Sequence, residues 1–151
     1  MIGYLAEYKD LELHCKVTDL QLHAYFDAGW ACHMDMKGHS GMVVTLGHFG
    51  FPILYKSQKQ KVVTRSSTED ELVCMCSGVD LSLCNHRIVQ FMRIPHKTPL
   101  PVYQDNTSSM KIATMGHGSS TSNTNFMDLK LLHYMKEIIL LHYQTSSMFH
   151  L

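Results

Sequence analysis

The sequence predicts a single mixed α/β domain, and three observations support that class. The chain has 151 residues, 45% of them hydrophobic, which is enough to bury a core within one domain. Three patterns typical of strands precede a long stretch of helical periodicity, and a further strand, two helices and a last strand follow it. No internal repeat or low-complexity linker divides the chain. The predicted order is therefore β-β-β-α-β-α, followed by a helix and a final strand.

The first three strands are predicted to form an antiparallel meander. Residues 20–26 alternate between apolar and other side chains, and Asp27 follows on the face away from the apolar row. A second strand is expected over Met42–Leu46, between glycine-containing turns, and a third over Ile53–Lys56. The short turns between these segments favour neighbouring antiparallel strands.

A long helix is predicted to follow, with Ser67 as its N-cap and Asp70 three residues later, as in a capping box. Four apolar residues then fall on one stripe at helical spacing: Leu72, Cys76, Val79 and Leu83. The apolar phase shifts after Asn85, which predicts a break in the helix at that point.

The remainder of the chain is predicted to add a strand that delivers an acid to its end. Val102–Gln104 reads as a short strand followed by Asp105, and Asn106 can cap the next helix. A final helix is expected over residues 126–137 and a final strand over residues 138–143.

Composition excludes several classes of protein. Formal net charge is zero, with 13 basic and 13 acidic residues, so nucleic-acid binding would have to come from a local patch rather than from overall charge. No run of about 18 apolar residues is present, and a membrane span is not expected. The five cysteines have no disulfide-scaffold spacing, which favours reduced thiols in an intracellular protein.

One set of cysteines superficially resembles a zinc site, formed by Cys74, Cys76, Cys84 and His86. All four fall on the predicted long helix, where residues two apart point to different faces. Zinc is therefore not expected there.

Three acidic motifs carry most of the functional signal. Asp27 stands at the end of the first strand, a cluster of acids over residues 69–71 opens the long helix, and Asp105 follows the fourth strand. Taken singly, such acids are usual in turns and in first helical turns. Together they favour a divalent metal site, because Mg²⁺ prefers oxygen ligands and two such ions can clamp the attacking and leaving oxygens of a phosphodiester.

Six motifs in fixed order resemble the ribonuclease H domain of copia-type LTR retrotransposon polyproteins. The chain reads Asp-Ala-Gly-Trp-Ala at 27–31, Asp-Met-Lys-Gly-His-Ser-Gly at 35–41 and Tyr-Lys-Ser-Gln-Lys-Gln at 55–60. It continues with Ser-Ser-Thr-Glu-Asp-Glu at 66–71, Tyr-Gln-Asp-Asn at 103–106 and Phe-Met-Asp-Leu-Lys at 126–130. The match extends from about Leu5 to Met148.

The resemblance implies a ribonuclease H-like fold, a mixed five-stranded sheet flanked by helices. It implies that the catalytic, metal-holding acids are Asp27, Glu71 and Asp105, with Asp128 as a fourth. Glu71 is chosen within its cluster because it matches the second glutamate of the family motif. The implied reaction is hydrolysis of the RNA strand of RNA–DNA hybrids with two Mg²⁺ (or Mn²⁺) ions.

The resemblance also implies partners and boundaries. Residues 1–18 are expected to be the tail of a connection from a reverse transcriptase, and residues 19–151 the ribonuclease H-like domain. The expected partners are an RNA–DNA hybrid and the reverse transcriptase of the same polyprotein, in the cytoplasm within a virus-like particle or in the nucleus.

Nucleic-acid contacts are expected near the third strand. Lys56 and Lys59 belong to a basic cluster that either contacts phosphates or forms a solvated hairpin edge. Ser40 and Gln60 could reach a 2′-hydroxyl, the group that distinguishes RNA from DNA, although Ser40 is equally a turn residue.

Departures from the family pattern keep other functions open. Cys84-Asn85-His86 replaces an expected Trp-Leu-Arg run, and the basic and histidine positions expected before Asp128 are Asn123, Asn125 and Phe126. One alternative is a decayed or repurposed domain, catalytically inactive, that binds only nucleic acid or a partner. Another is a related integrase-type nuclease, which is disfavoured because Glu71 stands between the two aspartates instead of last.

Overall fold

The computed structural model describes residues 2–10, 12, 14, 19–97, 99–115 and 139–143. Its helices are α1 (Ile2–Glu7), α2 (Ser67–Phe91) and α3 (Thr107–Met115). Its strands are β1 (Leu22–Gly29), β2 (His39–Leu46), β3 (Phe51–Lys59), β4 (Leu100–Gln104) and β5 (Ile139–Tyr143).

The five strands form one mixed sheet in the order β3-β2-β1-β4-β5. The meander β1-β2-β3 is antiparallel, whereas β4 pairs with β1 and β5 pairs with β4 in parallel. The predicted mixed α/β architecture is confirmed. The strands extend beyond the predicted bounds, β1 to Gly29, β2 from His39 and β3 from Phe51 to Lys59. The start of β1 is later than predicted, at Leu22, where its pairing with Leu46 begins.

The core lies between one face of the sheet and α2. Leu22, Ala24 and Phe26 of β1 are buried together with Cys74, Met75 and Val79 of the helix. Gly78 allows the close approach, since a Cβ at that position would meet the ring of Phe26 at 2.4 Å. The helix is thereby held directly across β1, with its first turns near the carboxyl end of that strand.

Helix α2 differs from the prediction at its start and in its middle. Its N-cap is Ser66, whose side chain accepts a hydrogen bond from the Glu69 amide, instead of Ser67. The predicted break at Asn85 is wrong, because the helix runs unbroken for 25 residues. The Asn85 side chain donates to the Leu81 carbonyl at 2.8 Å, so the helix itself satisfies this polar group. Within the described residues, no helix is long and apolar enough to cross a membrane.

The buried stripe of α2 is richer in polar and small residues than the apolar pattern indicated. Gly78, Ser82 and His86 are buried, whereas Leu83 is only half-buried and Cys84 is exposed. The replacement at residues 84–86 therefore buries His86 alone. Its ring packs edge-on against His96 at 4.7 Å, and burial lowers the pKa of His86.

Candidate metal centre

The parallel pairing of β1 with β4 brings two acids to the same level. Ala24 pairs with Val102, and Tyr25 pairs with Tyr103. Asp27 stands two residues after Tyr25, still within β1, and Asp105 stands two residues after Tyr103, directly beyond the end of β4. Both are exposed. Strand register alone therefore places two carboxylates side by side at one edge of the sheet.

Glu71 comes to the same place from the first turns of α2. One carboxylate oxygen from each of Asp27, Glu71 and Asp105 lies within 4.8 Å of the other two. Within the described ranges, this is the sole group of three or more acids, histidines or cysteines with ligand atoms that close together. The convergence predicted for these three acids is thus what the structure shows. Asp128 lies outside the described residues.

Neighbouring amides hold the carboxylate of Glu71, which is 5% exposed. The backbone N–H of Ala28 donates to Oε1 at 3.3 Å, and the side-chain amide of Gln104 donates to Oε2 at 2.7 Å. The same Gln104 nitrogen lies 3.2 Å from the Glu71 carbonyl oxygen. This acid is therefore fixed by donors from both β1 and β4.

Burial raises the pKa of Glu71 to about 7, from an ordinary value of 4.5. The hydrogen bond from Gln104 opposes that rise, while the negative charges of Asp27 and Asp105 add to it. Like charges this close disfavour ionisation, and a nearby cation reverses that effect. The three acids together thus form a site with excess negative charge.

The residues fit a hard divalent cation. They offer oxygen ligands, which Mg²⁺ and Mn²⁺ prefer. In the part of the chain that the structure describes, the carboxylates in ion pairs belong to Glu12 and Asp35, so no lysine, arginine or histidine neutralises the three acids. One buried acid and two exposed ones leave the site held by the protein on one side and open on the other.

The structure corrects the prediction for Ser40 and Gln60. Their side chains are 2% and 5% exposed, and Gln60 Nε2 donates to Ser40 Oγ at 3.1 Å. The same nitrogen donates to the backbone carbonyl of Asp70 at 3.1 Å. Both side chains connect β2 to the start of α2, and as placed they present no polar atom to a 2′-hydroxyl.

The two lysines named from the sequence occupy different environments. Lys56 is exposed and lines a surface groove of about 320 Å³ that also includes Asp27, Gly41 and Tyr55. Lys59 instead forms an ion pair with Asp35 at 2.8 Å. Lys56 is therefore the better placed of the two to meet a phosphate beside the acidic site.

The sequence motifs did not predict two polar residues of the site. Gln104 is completely buried, and Ser109 of α3, also buried, places its hydroxyl 3.2 Å from Gln104 Oε1. The available signal was the position of Gln104, one residue before Asp105 in a strand whose neighbours are apolar.

Asp70, predicted to cap the helix, is instead fully buried and accepts a hydrogen bond from Thr64 at 2.7 Å.

Sequence comparison places the chain near retrotransposon proteins. It is 45% identical over 73 residues to the retrovirus-related Pol polyprotein from transposon RE2 of Arabidopsis thaliana, a match over 47% of this chain. It is 51% identical over 57 residues, 37% of this chain, to the corresponding polyprotein from transposon RE1. The chain covers only about 5% and 4% of the lengths of these two relatives. No family model matches.

Structural comparison decides the fold. LC11-RNase H1, isolated from compost, aligns with a TM-score of 0.61 at 13% identity, over 85% of this chain and 86% of that one. The fold is that of ribonuclease H. The N-terminal ribonuclease H domain of a Mycobacterium tuberculosis protein aligns with a TM-score of 0.58 at 12% identity, over 83% of this chain and 81% of that one. The prototype foamy virus protease–reverse transcriptase aligns at 0.57 and 12% identity, over 91% of this chain and 20% of the viral one.

Proposed function

We propose that this chain is a metal-dependent endoribonuclease domain that hydrolyses the RNA strand of RNA–DNA hybrids, as part of a retrotransposon Pol polyprotein. The observation that carries the proposal is the convergence of Asp27, Glu71 and Asp105 on a ribonuclease H fold. The similarity to two Pol polyproteins supports the setting. LC11-RNase H1 has been crystallised in complex with an RNA/DNA hybrid, which supports the substrate class.

The three acids divide the work of the site. Asp27 and Asp105 are exposed and offer their oxygens at the open side, while the amides of Ala28 and Gln104 hold Glu71 beneath them. Two Mg²⁺ (or Mn²⁺) ions held by these acids, with Asp128 as a proposed further ligand, would activate a water and stabilise the charge that develops at the phosphate. No nucleophilic side chain is required in this scheme.

Substrate contact is proposed along the groove beside Asp27. Lys56 supplies a positive charge there, and phosphate contacts of this kind position nucleic acid without reading its sequence. Tyr55, 83% exposed, adds an aromatic surface next to that lysine. Lys59 would contribute less, because its ammonium group already forms an ion pair with Asp35.

The surrounding polyprotein supplies the proposed context. The alignment with a viral protease–reverse transcriptase agrees with a reverse transcriptase next to this domain, and residues 1–18 would be the tail of the connection to it. The hybrid would then pass from a polymerase to the acidic site.

A matched pair of variants tests the proposal in a hybrid-cleavage assay with Mg²⁺ and with Mn²⁺. Asp105→Asn keeps the shape of the side chain but removes one charge from the site, and cleavage should fall by orders of magnitude. Asp80→Asn changes an exposed aspartate on α2, away from the three acids, and cleavage should be unchanged. If the wild type cleaves the hybrid and Asp105→Asn cleaves it as fast as Asp80→Asn does, the assignment is refuted.

A second candidate function is an inactive domain that binds nucleic acid without cutting it. The burial of Ser40 and Gln60 favours it, because these side chains are then not available to recognise the RNA strand. Retained hybrid binding without cleavage in either metal would support this candidate over the first.

A further inference from the structure

Gln104 is a completely buried polar side chain next to the acidic site. It is the last residue of β4 and is 0% exposed. Burying an amide is costly unless hydrogen bonds satisfy it. Its hydrogen bonds reach two other elements, Glu71 on α2 and Ser109 on α3. The side chain therefore connects the acidic site to the helix behind it.

The hydrogen bonds of Gln104 determine which way its amide points. The NH₂ group of Gln104 donates to two acceptors of Glu71. These are Oε2 at 2.7 Å and the backbone oxygen at 3.2 Å. The carbonyl end then faces the hydroxyl of Ser109 at 3.2 Å, whose one proton is shared between this oxygen and the backbone carbonyl of Asn106 at 2.8 Å. A flipped amide would place its oxygen against two acceptors, so this orientation is strongly preferred.

Ser109 is in turn held by the start of α3. Asn106 precedes that helix, and its Oδ1 accepts hydrogen bonds from the amides of Ser108 and Ser109, both at 3.0 Å. The capped end of α3 thus places the serine that faces the oxygen of Gln104. Contacts run continuously from the cap of α3, through Gln104, to the carboxylate of Glu71.

We propose that Gln104 is a positioning residue that holds the Glu71 carboxylate in place to bind a divalent cation together with Asp27 and Asp105. The inference rests on the proposed function and adds a residue to it. Two neighbouring negative charges repel the carboxylate of Glu71, and its long, flexible side chain can move away from them. A hydrogen bond to a charged acceptor at 2.7 Å opposes that displacement, and such outer contacts orient the groups that bind metal.

A second buried glutamine provides a matched control within the same protein. Gln60 is 5% exposed, and its Nε2 also donates to a backbone carbonyl at the start of α2, that of Asp70 at 3.1 Å. Its other partner is Ser40 Oγ, so it touches none of the three acids. Replacing either glutamine removes buried hydrogen bonds to α2, but only Gln104 contacts a carboxylate of the site.

The test compares Gln104→Met and Gln60→Met in the full chain, with Mn²⁺ as the probe. Methionine keeps most of the volume and removes the amide. Mn²⁺ affinity, followed by the electron paramagnetic resonance signal of the free ion, should fall by roughly 10–100-fold in Gln104→Met and stay at the wild-type value in Gln60→Met. Urea unfolding in EDTA should show both variants destabilised, which separates stability from metal binding.

Three results would overturn the inference, each in a different way. Wild-type Mn²⁺ affinity in a folded Gln104→Met variant would show that Gln104 is structural only. If that variant does not fold, Ser109→Ala removes the hydroxyl that lies 3.2 Å from the amide oxygen. Weakened Mn²⁺ binding then supports the inference, and unchanged binding overturns it. A wild-type chain that binds no Mn²⁺ would refute the proposed function itself, and the role of Gln104 with it.

Discussion

Replacing Glu71 with glutamine should stabilise the metal-free protein at neutral and higher pH while it abolishes metal binding. Burial and two neighbouring carboxylates raise the pKa of this acid to about 7, from 4.5. The folded chain therefore keeps a proton that the unfolded chain has lost between those two values. The free energy of unfolding therefore falls as the pH rises from 4.5 to about 7, and the whole loss is present above that range.

The magnitude follows from the size of that rise. Each difference of one in pKa corresponds to 1.36 kcal/mol, so a difference of about 2.5 lowers the free energy of unfolding by about 3 kcal/mol once Glu71 is ionised. The neutral glutamine avoids the cost of the buried charge. It regains less than the whole amount, because one end of its amide must face the donating N–H of Ala28 or of Gln104. A gain of about 1–3 kcal/mol at pH 8 is expected, with none at pH 4.5.

Urea unfolding in EDTA, repeated across that pH range, measures the effect. The difference between wild type and variant isolates the effect of Glu71, because the two proteins are otherwise identical. Glu69→Gln is the control, since Glu69 opens the same helix but caps the Arg65 amide, a role that glutamine can also fill. A Glu71→Gln variant that is less stable than wild type at pH 8, or a difference that does not depend on pH, would refute this reasoning.

Three further predictions concern positions around the site. Gly78→Ala should lower the free energy of unfolding by roughly 1–3 kcal/mol in a urea titration, because its Cβ would meet the Phe26 ring at 2.4 Å; an unchanged value would mean that the helix can shift outward. Asp70→Asn should not destabilise the protein at neutral pH, since burial raises the pKa of this fully buried acid; a loss above about 1 kcal/mol would contradict this. Lys56→Ala should weaken hybrid binding and reduce its salt dependence by about one charge, more than Lys59→Ala does, because Asp35 pairs with the second lysine; the opposite order in a salt titration would refute the groove as the contact.

Much of the acidic site could be predicted because its acids stand at strand and helix ends and match the motifs of the family that the sequence resembles. Asp27 lies near the end of β1 and Asp105 directly follows β4, and these two strands pair in parallel, so the positions of both acids depend on register more than on side-chain packing. The sequence signal for Glu71 was weaker, since Glu69 and Asp70 stand beside it. Helical phase then separates the three, because only Glu71 turns toward the ends of β1 and β4.

Polar residues inside the core could not be predicted from the pattern. Ser40, Gln60 and Gln104 look like surface side chains in the sequence, and each is buried because partners from distant segments satisfy it. The prediction of a break at Asn85 was wrong for a related reason. The side-chain amide of Asn85 donates a hydrogen bond to the carbonyl of Leu81, one turn earlier, so the helix continues through it. Such pairings are formed by tertiary contacts that local periodicity does not contain.

The measurement that tests the central claim most directly is which strand the full chain cuts. An RNA–DNA hybrid labelled on either strand, a DNA duplex and an RNA duplex would be incubated with the protein in Mn²⁺ and in Mg²⁺. We expect cleavage of the RNA strand of the hybrid alone, lost in EDTA and in Asp105→Asn. Cleavage of the DNA strand or of either duplex at a comparable rate, or no cleavage by a chain that binds Mn²⁺, would contradict the proposed function.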